Sequence, residues 1–560
     1  MKVLSEERRG KASLGGVVDG LGPVDSRVHL AFIRIAGDPD DPANSLDKIS
    51  DKNGKQKEEV CADFETAIKM TGSGKFTVLL IAVCGSVFAN AGISTTVISF
   101  VLPSAQCDFQ LTSEDKGRLN AAPNTGMLLG ALIWGLLADA RGRKRMIISG
   151  LLLDAFFTLI SSLTQNYWIF LVSRIICGFG TAATVSLLFA YMGEFLPLAT
   201  RDRSLCGLEL SWSIAITILP GIAAAVIPQT WAYEFGGGFL ILNSWRVFIM
   251  MCALPSLTNA LCLAFLPEAP RYLMSKNRLE EALQAFQWIH HINMGKDREY
   301  AVTSLRPSPP APEGPKVGRP CEPYSALASQ ARALFSQPLL TASALTLIVQ
   351  TLLMTCYHTL ILWFPDLFDR YDRFLTLYPN QTVASICEVT AAIAGGDDAL
   401  PCDSDGQAVI SATAYHHATI VGVACIVAGV AIIAVVDRLG KRAVMVGSMV
   451  ISGVCTIGLN YVWTSTQNLI LACIFEAIAG LGISVIMCVV VELIPPNHRA
   501  FALALEHTTG RIGAVIGNIL FGWLVDFNCD IPLIAGGVLL IGGGLLSLFI
   551  PKPGEKYQHQ

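Results

Sequence analysis

Charge is scarce in this chain, and several familiar signatures are missing from it. Asp, Glu, Lys and Arg make up 15% of the 560 residues, against about 25% in soluble domains. The net charge of −4 says little, because the charge is distributed loop by loop. No basic, aromatic-interleaved segment suggests nucleic acid as a partner. No CxxC pair occurs among the sixteen cysteines, which argues against zinc. Most of them fall inside apolar segments, where cysteine serves as a small core residue. His290-His291 and His416-His417 lack partner ligands at metal spacing. Gly72-Ser73-Gly74-Lys75 lacks the upstream Gly and the following Ser/Thr of a phosphate loop. With no catalytic triad, nucleotide motif or metal motif, neither an enzyme nor a cofactor is expected. The first seventy residues hold no apolar stretch fit for a signal peptide, so the first apolar span is expected to act as the targeting signal.

What the chain has instead is long apolar runs. Hydrophobic residues make up 52% of it, and the mean hydropathy is +0.52. The runs fall at about 76–102, 120–138, 146–165, 168–192, 206–228, 246–266, 339–364, 415–436, 443–463, 467–490, 500–525 and 530–551. Each is close to the roughly 20 residues that cross a bilayer as helix. The expected fold is an all-α membrane protein of about twelve transmembrane helices in two six-helix halves. Residues 1–63 read as a polar, disordered tail and 64–75 as an interfacial segment in which Phe64, Ala67 and Ile68 form an amphipathic turn. Residues 76–266 and 339–551 are the two halves. The linker 267–338 carries a helical face over Leu279–Ile292. Residues 552–560 form a second tail.

The two halves repeat their loop chemistry. Gly135-Leu136-Leu137-Ala138-Asp139-Ala140-Arg141-Gly142-Arg143-Lys144-Arg145 is answered by Asp437-Arg438-Leu439-Gly440-Lys441-Arg442. Asp437 follows Asp139 by 298 residues, and Glu492 follows Glu194 by the same 298. Arg201 and Arg499 each lie seven residues beyond those glutamates. Like-oriented halves of this kind are an architecture of secondary transporters.

Basic residues concentrate in loops 2–3, 4–5 and 8–9 and in the central linker. These loops fall on one side if the spans alternate, so that side and both termini are expected to be cytoplasmic. The longest loop on the other side, 366–414, contains Asn380-Gln381-Thr382, a glycosylation acceptor. A Cys387–Cys402 disulfide is compatible with an oxidising lumen. Cys107 and Cys529 also fall near lumenal ends, so other pairings stay open.

The loop 2–3 sequence resembles the signature of the major facilitator superfamily. Pro267-Glu268-Ala269-Pro270-Arg271 resembles its sugar-porter branch. Ser99-Phe100-Val101-Leu102-Pro103-Ser104-Ala105, Asn243-Ser244-Trp245-Arg246-Val247-Phe248 and Leu362-Trp363-Phe364-Pro365-Asp366 are similar to segments of the synaptic vesicle glycoprotein 2 family. That resemblance implies a transporter fold working by alternating access. The chain departs from the family at several positions. Its lumenal loop is much shorter. The family's two acids in the first span fall at Ala91 and Ser94. One cavity tryptophan is kept at Trp212, while the second falls at Ile483, and a nearby acid at Met487.

Two sets of candidate residues follow. Asp139 with Arg143 and Asp437 with Lys441 would latch the cytoplasmic side, beside the pairs Glu194 with Arg201 and Glu492 with Arg499. Arg174 and Arg246 are candidates to join them. Within the membrane, ionisable residues default to function: Asp154, Glu209, Glu476, Glu506, His507 and Arg511. Trp212, Tyr357, His358, Glu506, His507 and Arg511 are the candidates for a substrate cavity, with Arg511 placed either to pair with Glu506 or to meet an anionic substrate. Trp363 is expected in a lumenal interfacial belt. The expected function is secondary transport of a small organic solute, with membrane lipid as surroundings, a coupling ion as a further partner, and a monomer as the working unit. The alternative is a vesicle membrane glycoprotein that binds secretory partners.

Overall fold

The computed structural model describes residues 61–229, 231–235, 240–295, 298–306, 329–337, 339–379, 384–395 and 412–551. Hydrocarbon offers no hydrogen-bond partner, so apolar runs of this length satisfy their backbone internally as helices. Six such helices make the first half: α2 (Lys75–Phe109), α3 (Ser113–Arg141), α4 (Arg143–Leu163), α5 (Tyr167–Gly193), α6 (Leu198–Val226) and α7 (Ser244–Ala264). Six make the second: α10 (Leu340–Leu377), α12 (Ala412–Leu439), α13 (Lys441–Gly458), α14 (Ser465–Leu493), α15 (Pro496–Leu524) and α16 (Asp530–Leu546). Among the described residues ten helices are apolar enough to cross a membrane alone, and the bent pair Ser113–Ala131 and Ile133–Arg141 makes an eleventh. The remaining one, α15, is 29 residues long but is diluted by Glu506, His507 and Arg511. The protein is thus a multi-pass membrane protein.

Local chemistry sets the helix ends. Thr112 and Asp115 form a reciprocal capping box that starts α3, satisfying orphan N–H groups. Asn166 caps α5 by accepting from the Trp168 and Ile169 amides. The sharp α3–α4 and α12–α13 corners turn on Gly142 (φ 103°) and Gly440 (φ 80°), conformations that side chains with a Cβ rarely adopt. These two glycines are again 298 residues apart.

The face carrying these corners is called the motif face below, and the other the opposite face. At the motif face a small cap precedes the second half. β1 (Cys61–Ala62) pairs in parallel with β4 (Ser304–Leu305), and α1 (Phe64–Met70), α8 (Pro270–Ser275) and α9 (Leu279–Met294) lie around them. Asn293 of α9 holds the chain entering α2. Its Nδ2 donates to the Thr71 and Gly72 carbonyls at 3.2 and 2.8 Å, and its Oδ1 accepts from the Phe76 amide at 2.9 Å. Ala67 and Ile68 are fully buried, so the amphipathic turn packs into the cap rather than lying bare at an interface. The helical face read from the linker is α9, with Ala282, Phe286 and Ile289 buried.

On the opposite face, β2 (Ala232–Phe235) and β3 (Leu240–Asn243) form an antiparallel hairpin, and α11 (Ile386–Gly395) lies in the loop after α10. The apolar run expected to end near residue 364 continues as helix to Leu377. Its charges do not end the helix because they pair along it. Arg370 Nε bonds Asp366 at 2.8 Å, and Arg373 pairs with Asp369 one turn on. Cys387 is joined to Cys529, just before α16, and not to Cys402. The fold brings α11 beside the α15–α16 turn, a proximity that sequence distance hides. Asn380, Cys402, most of the 1–63 tail and the 552–560 tail lie outside the described residues.

Candidate functional site

The duplicated motifs meet inside each half. Arg143, at the start of α4, is ion-paired with Glu194, which caps α5. Lys441, at the start of α13, is ion-paired with Glu492 near the end of α14. Both pairs obey the 298-residue offset, so one structural device is built twice. The pairings differ from those expected. Arg201 lies 3.6 Å from Glu65 of α1 and donates to the Leu196 carbonyl at 3.1 Å, rather than meeting Glu194. Arg499 makes no ion pair with Glu492 among the described residues. Asp139 is exposed and unpaired with Arg143, while the Asp437 side chain lies outside the described residues. Burial pushes the Glu194 carboxyl above its usual range, and the Arg143 guanidinium opposes that shift.

The Pro267–Arg271 segment completes the first copy. Glu268 accepts from the Lys144 amide at 2.8 Å, capping the start of α4, where a carboxylate also meets the helix dipole. A Cβ on Gly142 would fall 2.6 Å from Glu268 Oε2. The Tyr191 hydroxyl donates to the Pro267 carbonyl at 2.7 Å and the Tyr272 hydroxyl to that of Ala140 at 3.1 Å. Beside this network a cavity of ≈ 280 Å³ is lined by Arg143, Glu194, Arg201, Arg271, Phe189 and Leu205.

Bonds between the two halves follow a different distribution. At the opposite face Lys116 of α3 bonds Asp366 of α10 at 2.5 Å, both buried. Arg370 bonds Asp366, Asp526 at 2.9 Å and the Ser113 hydroxyl of α3 at 2.7 Å. Close below, Asn120 Nδ2 donates to the Leu362 carbonyl at 3.3 Å. A Cβ on Gly117 would lie 2.7 Å from the Asn518 carbonyl and 3.1 Å from the Gly522 Cα, so α3 and α15 touch backbone to backbone there. Midway down, Arg511 Nη1 donates to Asn124 Oδ1 at 2.7 Å. Nearer the motif face no ion pair joins described residues of the two halves. Arg246 and Arg174 stand apart from the motif-face charges. Arg246 pairs with Asp108 at 3.2 Å at the opposite end of the helices and stacks 4.3 Å over Trp245. Arg174 bonds Ser161.

Between the halves lie the candidate cavity residues. Trp212 packs on Phe88 at 5.8 Å and against Gly92, where a Cβ would lie 3.3 Å from the ring. Across the interface Tyr357 of α10 is in polar contact with Trp212, and Glu209 and Glu476 act on it electrostatically. His358, Arg511 and His507 lie within electrostatic reach of one another. Arg511 takes Asn124, not Glu506, as its partner; Glu506 sits beside Thr346. His358, His507 and Arg511 thus fall on α10 and α15, with Glu506 also on α15, while Trp212, Glu209 and Glu476 fall on α6 and α14. Trp363 is fully buried, 4.9 Å from Phe521, and is core rather than belt. Asp154 is buried in the first half, accepting from Ser94 and Ser256 at 2.6 Å each. A carboxylate therefore reaches the Ser94 position from α4. Sequence reasoning left out Glu268 and Lys116 as working residues; the Pro267–Arg271 motif was the signal for the first, and nothing marked the second.

Residues 83–395 and 406–560 match the profile of the Major Facilitator Superfamily. The chain belongs to the major facilitator superfamily. Human synaptic vesicle glycoprotein 2C is 25% identical over 600 residues, covering 90% of this chain and 82% of that one. Rat synaptic vesicle glycoprotein 2A is 33% identical over 257 residues, 45% of this chain and 34% of that one. Among solved structures, the E. coli xylose transporter in a partially occluded inward-open conformation superposes with a TM-score of 0.59 at 16% identity, covering 85% of this chain and 100% of that one. A D-xylose–proton symporter gives 0.57 at 15%, covering 86% and 99%. The superfamily's two-half fold and its charged corners are what this chain shares.

Proposed function

We propose that this superfamily member moves a small organic solute by alternating access, working as a monomer with its motif face in the cytoplasm. The carrying observation is the uneven distribution of bonds between halves. Among the described residues they run from the Arg511–Asn124 bond to the opposite face, and no ion pair joins the halves nearer the motif face, which we read as the arrangement of a carrier open on that side. Basic loops on the motif face and a Cys387–Cys529 disulfide on the other support the orientation. In the alternate state Asp139 and Asp437 would close the motif face against the facing half, next to the duplicated Arg143–Glu194 and Lys441–Glu492 pairs. His507, His358 and Glu506 are the groups we assign to ion coupling. Trp212, Tyr357 and Arg511 line the solute path, and Asn380 carries a lumenal glycan. The vesicle-glycoprotein names of its relatives favour a second reading, in which a vesicle member binds secretory partners without transport.

Uptake into liposomes decides between them. Reconstituted protein is given organic cations, organic anions and sugars under an imposed proton gradient. Saturable uptake lost in Trp212→Ala and Arg511→Ala supports transport. Uptake equal to that of empty liposomes across the panel, with secretory proteins recovered from detergent extracts, supports the second reading.

A further inference from the structure

Glu476 sits mid-way along α14 and is 1% exposed. Neither of its carboxylate oxygens has a hydrogen-bond partner. A buried, unpaired carboxylate is among the costliest groups a membrane helix can carry. The titratable side chains acting around it are Tyr357, Cys425 and Cys473, and none is basic. Glu209 adds a second acid on the same side. The protein therefore supplies no countercharge here among its described residues.

Glu476 lines a small cavity of ≈ 30 Å³ between the halves, walled by Phe100, Ile361, Phe364, Pro365 and Phe368 among others. Phe364 and Phe368 stack at 5.8 Å. Pro365 lies inside α10, and a proline has no N–H to give the carbonyl four residues back. That carbonyl belongs to Ile361, which lines the same cavity. The site thus offers a carboxylate and aromatic rings, beside a turn of α10 in which the Ile361 carbonyl lacks its helical donor. The volume exceeds the roughly 10–15 Å³ that one water molecule needs, so an –NH3⁺ head fits. An ammonium brings three donors and no acceptor, and it is attracted to ring faces.

We propose that this cavity is a cation subsite that takes the primary ammonium head of an organic amine. The amine's apolar body would extend toward Tyr357 and Trp212. The proposal rests on the transporter reading for why a solute reaches this depth, and it deepens that reading by naming the solute class. It needs no covalent chemistry. The carboxylate and the Ile361 carbonyl accept from the ammonium, and the rings replace part of its lost hydration.

The test is equilibrium binding of radiolabelled 2-phenylethylammonium to the full chain in nanodiscs, with uncharged 2-phenylethanol as competitor. The expected result is saturable 1:1 binding, with the alcohol on the order of tenfold weaker or worse, as for charge-assisted bonds in a desolvated site. Glu476→Gln should abolish that preference without lowering the melting temperature, since glutamine fills the same space and carries no charge to bury. Pro365→Ala, which restores an amide to the helix, should weaken the ammonium roughly threefold and leave the alcohol unchanged. Absence of saturable ammonium binding, or a preference that survives Glu476→Gln, overturns the proposal. Binding that follows this pattern without uptake into liposomes refutes transport and leaves the cation site standing. Uptake indifferent to Glu476→Gln does the reverse.

Discussion

The two faces of this protein use charge in opposite ways. At the motif face the ion pairs tie helices within one half: Arg143 to Glu194, and Lys441 to Glu492. At the opposite face Lys116 and Arg370 tie one half to the other through Asp366 and Ser113. The first arrangement stiffens each half as a body and, among the described residues, adds no ion pair between the halves. The second holds the bodies together at one end. A rocking carrier needs both, because rigid halves transmit motion and a breakable lock selects the state. Among the described residues the face built from repeated sequence carries no ion pair between the halves, whereas the bridged face is built from residues outside the repeated motifs.

Breaking the lock should have the largest effect. Asp366→Asn leaves Lys116 buried without its carboxylate and Arg370 with Asp526 alone, a loss of about 3–5 kcal/mol. Thermal melts in detergent should show it as a large drop, and Lys116→Met with Asp366→Leu together should recover part of it. If the single and double variants melt alike, the lock is not an ion pair in energetic terms. The duplicated pairs should then separate by burial. Glu194 is 6% exposed in its pair and Glu492 39%. Arg143→Gln is therefore expected to cost about 1.5–3 kcal/mol, and Lys441→Gln about 0.2–1 kcal/mol. Equal losses would show that the copies are energetically equivalent despite their settings.

The corner glycines sharpen the same contrast. Any side chain at Gly142 or Gly440 meets a left-handed backbone penalty of about 1–2 kcal/mol. Only Gly142→Ala also collides with Glu268, so it should melt lower than Gly440→Ala. The smallest effect concerns the cap. His290 Nδ1 lies 3.2 Å from the Met70 carbonyl, and its Nε2 is buried without a partner. Burial holds its pKa below the ordinary 6.5. A depressed histidine contributes stability that is complete above that ordinary value and is lost as pH falls toward the folded one. The protection of residues 64–74 against hydrogen exchange, relative to the intrinsic rate at each pH, should fall below about pH 6.5, and His290→Gln should flatten the profile.

Much of this was legible in the chain itself. Twelve apolar runs marked the spans because a bilayer demands roughly the same length of helix each time. The 298-residue offset marked the halves. Tyr357, His358, His507 and Arg511 stand out as candidates because aromatic and ionisable residues in such runs are conspicuous, and Trp212 through the family resemblance; their role belongs to the proposal. What failed was pairing. Glu194 and Arg201 are neighbours in sequence, but one turn of chain at a helix end points them to different partners. Trp363, beside a proline and an aspartate, reads as an interfacial residue and is in fact wrapped by Phe521.

The sequence alone determined the number of spans, the two-half plan and the repeated corners. These depend on local length, hydropathy and glycine geometry, which need no knowledge of neighbours. Tertiary structure alone decided which charges meet. A charge in an apolar run has a meaning only through its partner. Asp366 ends a span on paper and locks two bodies together in the fold, because Lys116, 250 residues away, arrives beside it. Glu476 stands out for the opposite reason, since among the described residues the fold brings it no hydrogen-bond partner.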